Sequence, residues 1–283
     1  MEPQASAPRG PFSVFGRPGA TDMLAMEIDL MSERGGRRYN EDACGHVQVD
    51  DWLCCALADG AGGHGGGDVA ARLVVRELLS AFAQGPAEAA LALKPVVCGI
   101  NELLIGQRAP GPTQNMHTTV VCLVIDAHEH TARWAHAGDS RLYWFREGQL
   151  MDRTRDHSLV QSLVDAGVWH QDDIKSHARG NELISALGID AADLTVSVTG
   201  EPAHLEAGDA FLLCTDGCWE YLDDSTLLQS LSAADSPSRW LADLKARIEL
   251  ATQPRSSHDN FTAVAVWVSV APPSTAGSVE MRG

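Results

Sequence analysis

Short apolar runs rich in β-branched and aromatic residues, separated by turn residues, recur between positions 24 and 270. They predict strands at 24–31 ("LAMEIDLM"), 44–49, 52–58, 118–126 ("TTVVCLVID"), 131–137, 140–145, 194–199, 210–215 and 261–270 ("FTAVAVWVSV"). Elsewhere the period changes. In "DVAARLVVRELLSAF", residues Val69, Leu73, Val74, Leu78 and Leu79 recur at helical spacing. Helices are predicted at 67–83, 87–107, 157–166, 223–232 and 236–251. "DAHEH" (126–130) joins two strands by a short turn, which makes that pair antiparallel, and "REGQ" (146–149) can close a second hairpin.

The strands "VVCLVI" and "AFLLC" are apolar on both alternating faces. An antiparallel sheet with one wet face would alternate, so both faces must be covered. A second sheet on one side and helices on the other achieve that. The expected fold is α+β, a four-layer α-β-β-α sandwich of two mostly antiparallel sheets flanked by helices. A parallel doubly wound sheet would need a helix between successive strands, and here several strands follow one another directly. One domain is expected over 22–270. Pro-, Gly- and Ala-rich tails are expected at 1–21 and 271–283.

Composition narrows the classes. The chain has 283 residues, 45% of them apolar, and a formal charge of −17, so nucleic acid is a poor partner. No apolar stretch approaches the roughly 20 residues of a membrane span. The first residues lack a basic start and an apolar core, so no secretory leader is expected and a cytoplasmic location is. The seven cysteines include no C-x-x-C pair and read as reduced, buried thiols. None is followed six positions later by arginine, which excludes the Cys-x5-Arg phosphatase chemistry.

The candidate chemistry is carboxylate chemistry. "NED" (40–42), "ADG" (58–60), "TDG" (215–217) and "HDN" (258–260) each set an Asp beside an apolar strand, and "AGDSR" (137–141) joins two strands. Hard cations such as Mg²⁺ and Mn²⁺ take carboxylates, carbonyls and water. Asp-Gly is also an ordinary turn signal, and spacing alone does not bring the five together. Six of the eight residues after Asp59 are glycine, which resembles the start of a dinucleotide-binding unit. The charge of Asp59 would repel a pyrophosphate, and the next predicted element is another helix. No Lys-Ser/Thr follows the glycines, so a P-loop fails as well.

The series "RRYNEDA", "ADGAGGHGGG", "HTTVV", "HAGDSRLY", "DHSLVQSLVDAGV", "ISALG", "CTDGCWEYL" and "HDNFTAVAV" resembles the type 2C metal-dependent protein phosphatases in their bacterial form. "DGCWEY" and "GGHGGGDVA" look most like members found beside type VI secretion genes. The resemblance implies the α-β-β-α sandwich. It also implies hydrolysis of phosphoserine and phosphothreonine by a metal-activated water, using two Mn²⁺ or Mg²⁺ ions. By motif match, Asp59 resembles the carboxylate bridging both ions, with the Gly60 carbonyl a further ligand. Asp216 and Asp259 match ligands of the first ion, Glu41 and Asp42 the acidic pair, and Asp139 the residue of a third, weaker site. Arg37 matches the phosphate-gripping arginine, with Arg38 a solvated neighbour. His64 is a candidate for proton delivery to the leaving group, or a loop histidine packed on the helix start.

Ala61 and His117 depart from the resemblance, which has Met or His and Gly at those positions. Segment 165–190 corresponds to a flap beside the site. Its His170, Asp172, Asp173 and His177 could be read as a zinc site, but partner ligands are lacking and solvated residues are expected. The implied partners are a Ser/Thr kinase, its phosphorylated targets and a forkhead-associated protein. The alternative is an inactive phosphoprotein-binding pseudophosphatase, whose mark would be a lost ligand, and no ligand position is lost.

Overall fold

The computed structural model describes residues 23–61, 66–111, 113–170, 182–253 and 257–271. The first half of the chain runs β1 (Leu24–Glu33), β2 (Ala43–Val49), β3 (Trp52–Ala58), β4 (Gly60–Ala61), α1 (Gly67–Gln84), α2 (Pro86–Leu91) and α3 (Leu93–Gly106). Then come β5 (His117–Thr118), β6 (Val120–Asp126), β7 (Thr131–Ala137), β8 (Arg141–Arg146), β9 (Gln149–Arg153) and α4 (Leu159–Asp165). The chain closes with β10 (Ser197–Val198), β11 (Ala203–His204), β12 (Ala210–Cys214), α5 (Asp216–Trp219), α6 (Asp224–Ala233), α7 (Pro237–Thr252) and β13 (Phe261–Val270).

Among the described residues two antiparallel sheets form the centre. One has the order β1-β13-β12-β8-β9; the other has β10-β7-β6-β3-β2, with β11 also paired to β7. The two-faced apolar strands explain the stack. Along β3, Leu53, Cys55 and Leu57 face the other sheet, where they meet Phe211, Leu213, Val264 and Val266. The intervening Cys54, Ala56 and Ala58 face α1 and α3 and pack with Leu78, Phe82 and Leu104. On the far side Leu212, Ala263 and Ala265 pack under α7 through Trp240, Leu244 and Ile248. Each fully buried Leu, Val, Ile or Phe among them contributes roughly 1.5–3 kcal/mol, which holds the layers together.

Most predicted elements form, with local differences. The single helix expected at 87–107 is two helices with a break at Ala92. Pro95 is the cause: it has no N–H for the Leu91 carbonyl, and its ring would collide there. The strand expected at 118–126 is interrupted at Thr119, whose backbone N–H donates to the Asp59 carbonyl at 2.9 Å. The strand expected at 194–199 shrinks to Ser197–Val198. α5 was not expected, because one turn is too short to show a period. The "REGQ" hairpin forms between β8 and β9, with Glu147 and Gly148 at positive φ (49° and 70°). The expected tails, apart from Ala271, lie outside the described residues. Among the described residues no helix is long and apolar enough to cross a membrane.

Candidate functional site

The loops at one end of the two sheets enclose a cavity of about 680 Å³. Its wall carries Arg37, Glu41, Asp59, Gly60, Asp139, Asp216 and Asp259, which come from both sheets. The structure thus brings together the residues expected from five separated motifs. Asp42 does not line the wall. It is buried behind it, where its Oδ2 accepts from Thr215 Oγ1 at 3.1 Å. His64 lies outside the described residues, as do Asp172, Asp173 and His177. Opposite the acids, Leu183, Ile184, Ala186 and Ile189 form an apolar wall. These residues lie in the C-terminal part of the segment expected to be a flap.

The glycines after the aspartates serve close packing. A Cβ on Gly60 would stand 2.2 Å from the Gly67 carbonyl oxygen and 2.5 Å from that of Glu41. A Cβ on Gly217 would stand 1.9 Å from the Asn260 carbonyl oxygen. Each Asp-Gly turn is therefore the seat on which another acid-bearing loop rests. Side-chain bonds complete the fit. The Asp59 N–H donates to Thr119 Oγ1 at 2.9 Å, and Thr118 Oγ1 donates back to the Asp59 carbonyl at 2.8 Å. Asn260 Nδ2 donates to the carbonyls of Arg34 (2.7 Å) and Tyr39 (2.9 Å), while its Oδ1 accepts from the Glu41 N–H at 2.9 Å. Asn260 thus clamps the 34–41 loop onto its own. Thr118, Thr119 and Asn260 stand inside the quoted motifs, but nothing in their spacing announced these roles. Arg37 is half-exposed at the cavity mouth and ion-paired with Asp259.

The carboxylates crowd one another. Burial pushes the Asp59 carboxyl well above its ordinary range, and the charges of Asp216, Asp42 and Asp139 push it further. Asp139 is raised in the same way, by burial first and then by Asp216. Asp216 is raised by burial and by Glu220 and Asp259, and Asp42 by burial and by Asp216. The buried oxygens Asp42 Oδ1 and Asp216 Oδ1 have no hydrogen-bond partner. Such groups are costly unless a cation compensates them. Among the described residues no three acids, histidines or cysteines make a ready metal cage. Mg²⁺ and Mn²⁺ do not need one, since they keep several waters and take few protein oxygens each. The oxygen-only donor set and the orphaned oxygens fit hard divalent cations. They do not fit zinc, which prefers nitrogen and sulfur.

Ala61 and His117, the two departures, are direct cross-strand partners in the β4–β5 ladder. Both line the cavity, the small residue facing the large one. Burial and nearby Arg108 lower the His117 pKa. The seven cysteines are free thiols, five of them buried, and none lines this cavity.

A family profile described as Protein phosphatase 2C matches residues 32–253. The Ser/Thr protein phosphatase PstP of Mycobacterium tuberculosis is 33% identical over 247 residues, covering 85% of this chain. The chain spans 45% of that relative's own length. The PstP catalytic domain, solved with two manganese ions, superposes with a TM-score of 0.73 at 27% identity, covering 87% of this chain and 99% of that one. PppA, described as a key regulatory component of type VI secretion in Pseudomonas aeruginosa, is 31% identical with a TM-score of 0.67, over 86% of this chain and 97% of its own.

Proposed function

The chain belongs to the protein phosphatase 2C family, and from that premise we propose that it hydrolyses phosphoserine and phosphothreonine esters in proteins. The observation that carries this is the set of mutually repelling, desolvated carboxylates around one open cavity with an arginine at its mouth. Two divalent cations, Mn²⁺ or Mg²⁺, would be held there, with Asp59 between them and the Gly60 carbonyl beside it. Asp216 and Asp259 would serve the first ion, and Asp139 a third, weaker one. Glu41 faces the cavity and would act directly or through water. Asp42 would act from behind the wall through its unpartnered oxygen. When bound, the cations supply an acidified water and neutralise phosphoryl oxygens.

The chain's own groups do the rest. The Arg37 guanidinium can leave Asp259 and grip two phosphoryl oxygens in a fork, which places the phosphorus over the acids. Asn260 fixes the loop that carries both Arg37 and Glu41. The apolar wall of Leu183, Ile184 and Ile189 would cover the peptide side of the substrate and exclude water. The departing serine or threonine oxygen needs a proton, and His64 remains the proposed donor on sequence grounds.

The kinship with PppA supports a place in type VI secretion control. The proposed partners there are a Ser/Thr kinase, its phosphorylated targets and a forkhead-associated protein, in the cytoplasm. A nucleic-acid partner is not proposed, given the charge of −17.

The deciding experiment follows phosphate release from a phosphothreonine peptide. EDTA should silence the protein and Mn²⁺ restore it. Asp59→Asn should lower kcat/KM by about 10³-fold or more while the circular dichroism spectrum is unchanged. Near-normal turnover by Asp59→Asn would defeat the assignment.

A further inference from the structure

Three motifs carry residues that the proposed hydrolysis does not use. They are Arg141 of "GDSR", Asp156 and His157 of "DHSL", and Trp219 of "DGCW". In the fold they meet in one buried cluster. The stretch 138–140 crosses from β7, in one sheet, to β8, in the other, and Asp139 sits at its centre. A crossing of this kind has no ladder to satisfy its backbone.

Each residue of the crossing is instead held from outside. The Gly138 carbonyl accepts from the His157 N–H at 2.9 Å, and the Gly138 N–H donates to His157 Nδ1 at 3.3 Å. Ser140 Oγ shares a 2.6 Å hydrogen bond with Thr119 Oγ1, the atom that also holds Asp59. The Asp139 carbonyl accepts from the Trp219 indole Nε1–H at 2.9 Å.

Trp219 is itself held by Arg141, which is held in turn. The Arg141 guanidinium carbon lies 3.6 Å from the centre of the indole ring. Arg141 forks onto Asp156, Nε to Oδ1 at 2.8 Å and Nη2 to Oδ2 at 2.7 Å, with the two side chains only 4% and 2% exposed. A third donor, Arg141 Nη1, reaches the Tyr143 hydroxyl at 3.2 Å. Burying an ion pair so completely seldom increases stability over an apolar replacement. Its gain here is geometric, because a forked, stacked guanidinium permits one orientation of the ring. None of Trp219, Arg141 and Asp156 lines the cavity, so they reach the chemistry only through residues they hold, and the indole N–H holds Asp139. Trp219 also ends the one-turn helix α5 that Asp216 begins, so one rigid turn joins two cavity acids.

We propose that Trp219, locked by the buried Arg141–Asp156 pair, is a positioning residue that aims Asp139 at the third, weaker cation. The proposal rests on the reading of Asp139 as a cation ligand.

Calorimetric titration with Mn²⁺, read beside the electron paramagnetic resonance of free Mn²⁺, tests both layers. The wild-type protein should show a weak binding event that Asp139→Asn removes. Trp219→Phe leaves an aromatic face for Arg141 and deletes the donor, with the loss of the indole's second ring. It should weaken that same event about 10–100-fold, the usual range for groups that orient a ligand, and leave the tighter events unchanged. Trp240→Phe, a remote buried tryptophan in α7, should lower the melting temperature without moving any Mn²⁺ event. If Trp219→Phe does not fold, benzothienylalanine at 219 replaces the N–H with sulfur in the same shape and carries the test. A weak event lost in Asp139→Asn but intact in the Trp219 variants would overturn the positioning role alone. If Asp139→Asn changes nothing, the ligand reading falls and the proposal falls with it.

Discussion

His136 and His157 stack at 4.6 Å between ring centres, both buried, beside the crossing that carries Asp139. His136 Nε2 donates to the Arg155 carbonyl at 2.7 Å. His157 accepts at Nδ1 from Gly138, so its proton sits on Nε2 and goes to Ser197 Oγ at 2.9 Å. A second proton on Nδ1 would break the bond to Gly138. Burial lowers the His157 pKa first and neighbouring His136 lowers it further. Asp156 opposes them, and the result is about 4. His136 is lowered too, by burial. The sign follows. Between the unfolded histidine value near 6.5 and about 4, the unfolded chain binds a proton that the fold refuses. The His157 contribution should be flat above that window and be lost as the pH drops through it. The His157 share is roughly 2 kcal/mol after allowance for solvent screening. Chemical denaturation of wild type and His157→Gln at pH 7 and pH 4.5 measures it. The variant should lose less stability across the interval, and equal losses would sink the idea. Sequence alone gave no sign of this pair, because 21 residues separate rings that only tertiary packing stacks.

Elements assemble the site through the two Asp-Gly turns. The sequence marks these turns plainly, and an Asp beside a strand followed by glycine reads at once as a candidate ligand. The reason for the glycine was less legible. Exposing a carbonyl to a ligand is one possibility, but the structure shows the residue making room for another loop's backbone. That contact depends on which loops become neighbours, and no local pattern encodes it. Gly217→Ala should be severe, since its Cβ would overlap the Asn260 carbonyl at 1.9 Å and press on Phe261 at 3.2 Å. Overpacking of this order costs about 1–3 kcal/mol or more. At this chain length that lowers the melting temperature by roughly 2–4 °C per kcal/mol. Gly99, on the exposed face of α3 with nothing within 4 Å of its would-be Cβ, supplies the contrast. Gly99→Ala should stabilise by about 0.5–1 kcal/mol, through helix propensity alone. Paired melting curves decide the matter, and a tolerated Gly217→Ala would refute the packing account. Strand positions were readable because two-faced apolar runs report burial on both sides. Short pieces such as β4, β5 and α5 were not, since one turn or two residues cannot show a period and these form only where partners arrive.

At the scale of the whole molecule, the stacked sheets gather at one end acids that the chain keeps as much as 218 residues apart, from Glu41 to Asp259. The four layers were legible from strands apolar on both faces. The convergence was not, because strand order across a sheet is a tertiary choice; the family resemblance supplied what spacing could not. The assembled pocket is electrostatically unfavourable by itself. Four carboxyls are desolvated, and neighbouring acids push their pKa values further up, in a chain already at −17. Folding should therefore be tightly linked to divalent cations. A ligand that binds only the folded state at a hundred times its Kd adds about 2.7 kcal/mol. For a domain of this size that is roughly 5–10 °C of melting temperature. Mn²⁺ should deliver a rise of that order and EDTA should reverse it. Asp216→Asn removes one buried charge whose Oδ1 has no partner. Its metal-free form should melt about 2–8 °C above the wild type, on a gain of roughly 1–2 kcal/mol, while most of the Mn²⁺ increment disappears. The two effects have opposite signs, so a general packing defect cannot imitate them. A packing defect would lower the melting temperature with and without the ion. If Asp216→Asn melts below the wild type in EDTA and still gains the full increment from Mn²⁺, Asp216 is a structural acid and the pocket is not held open for cations.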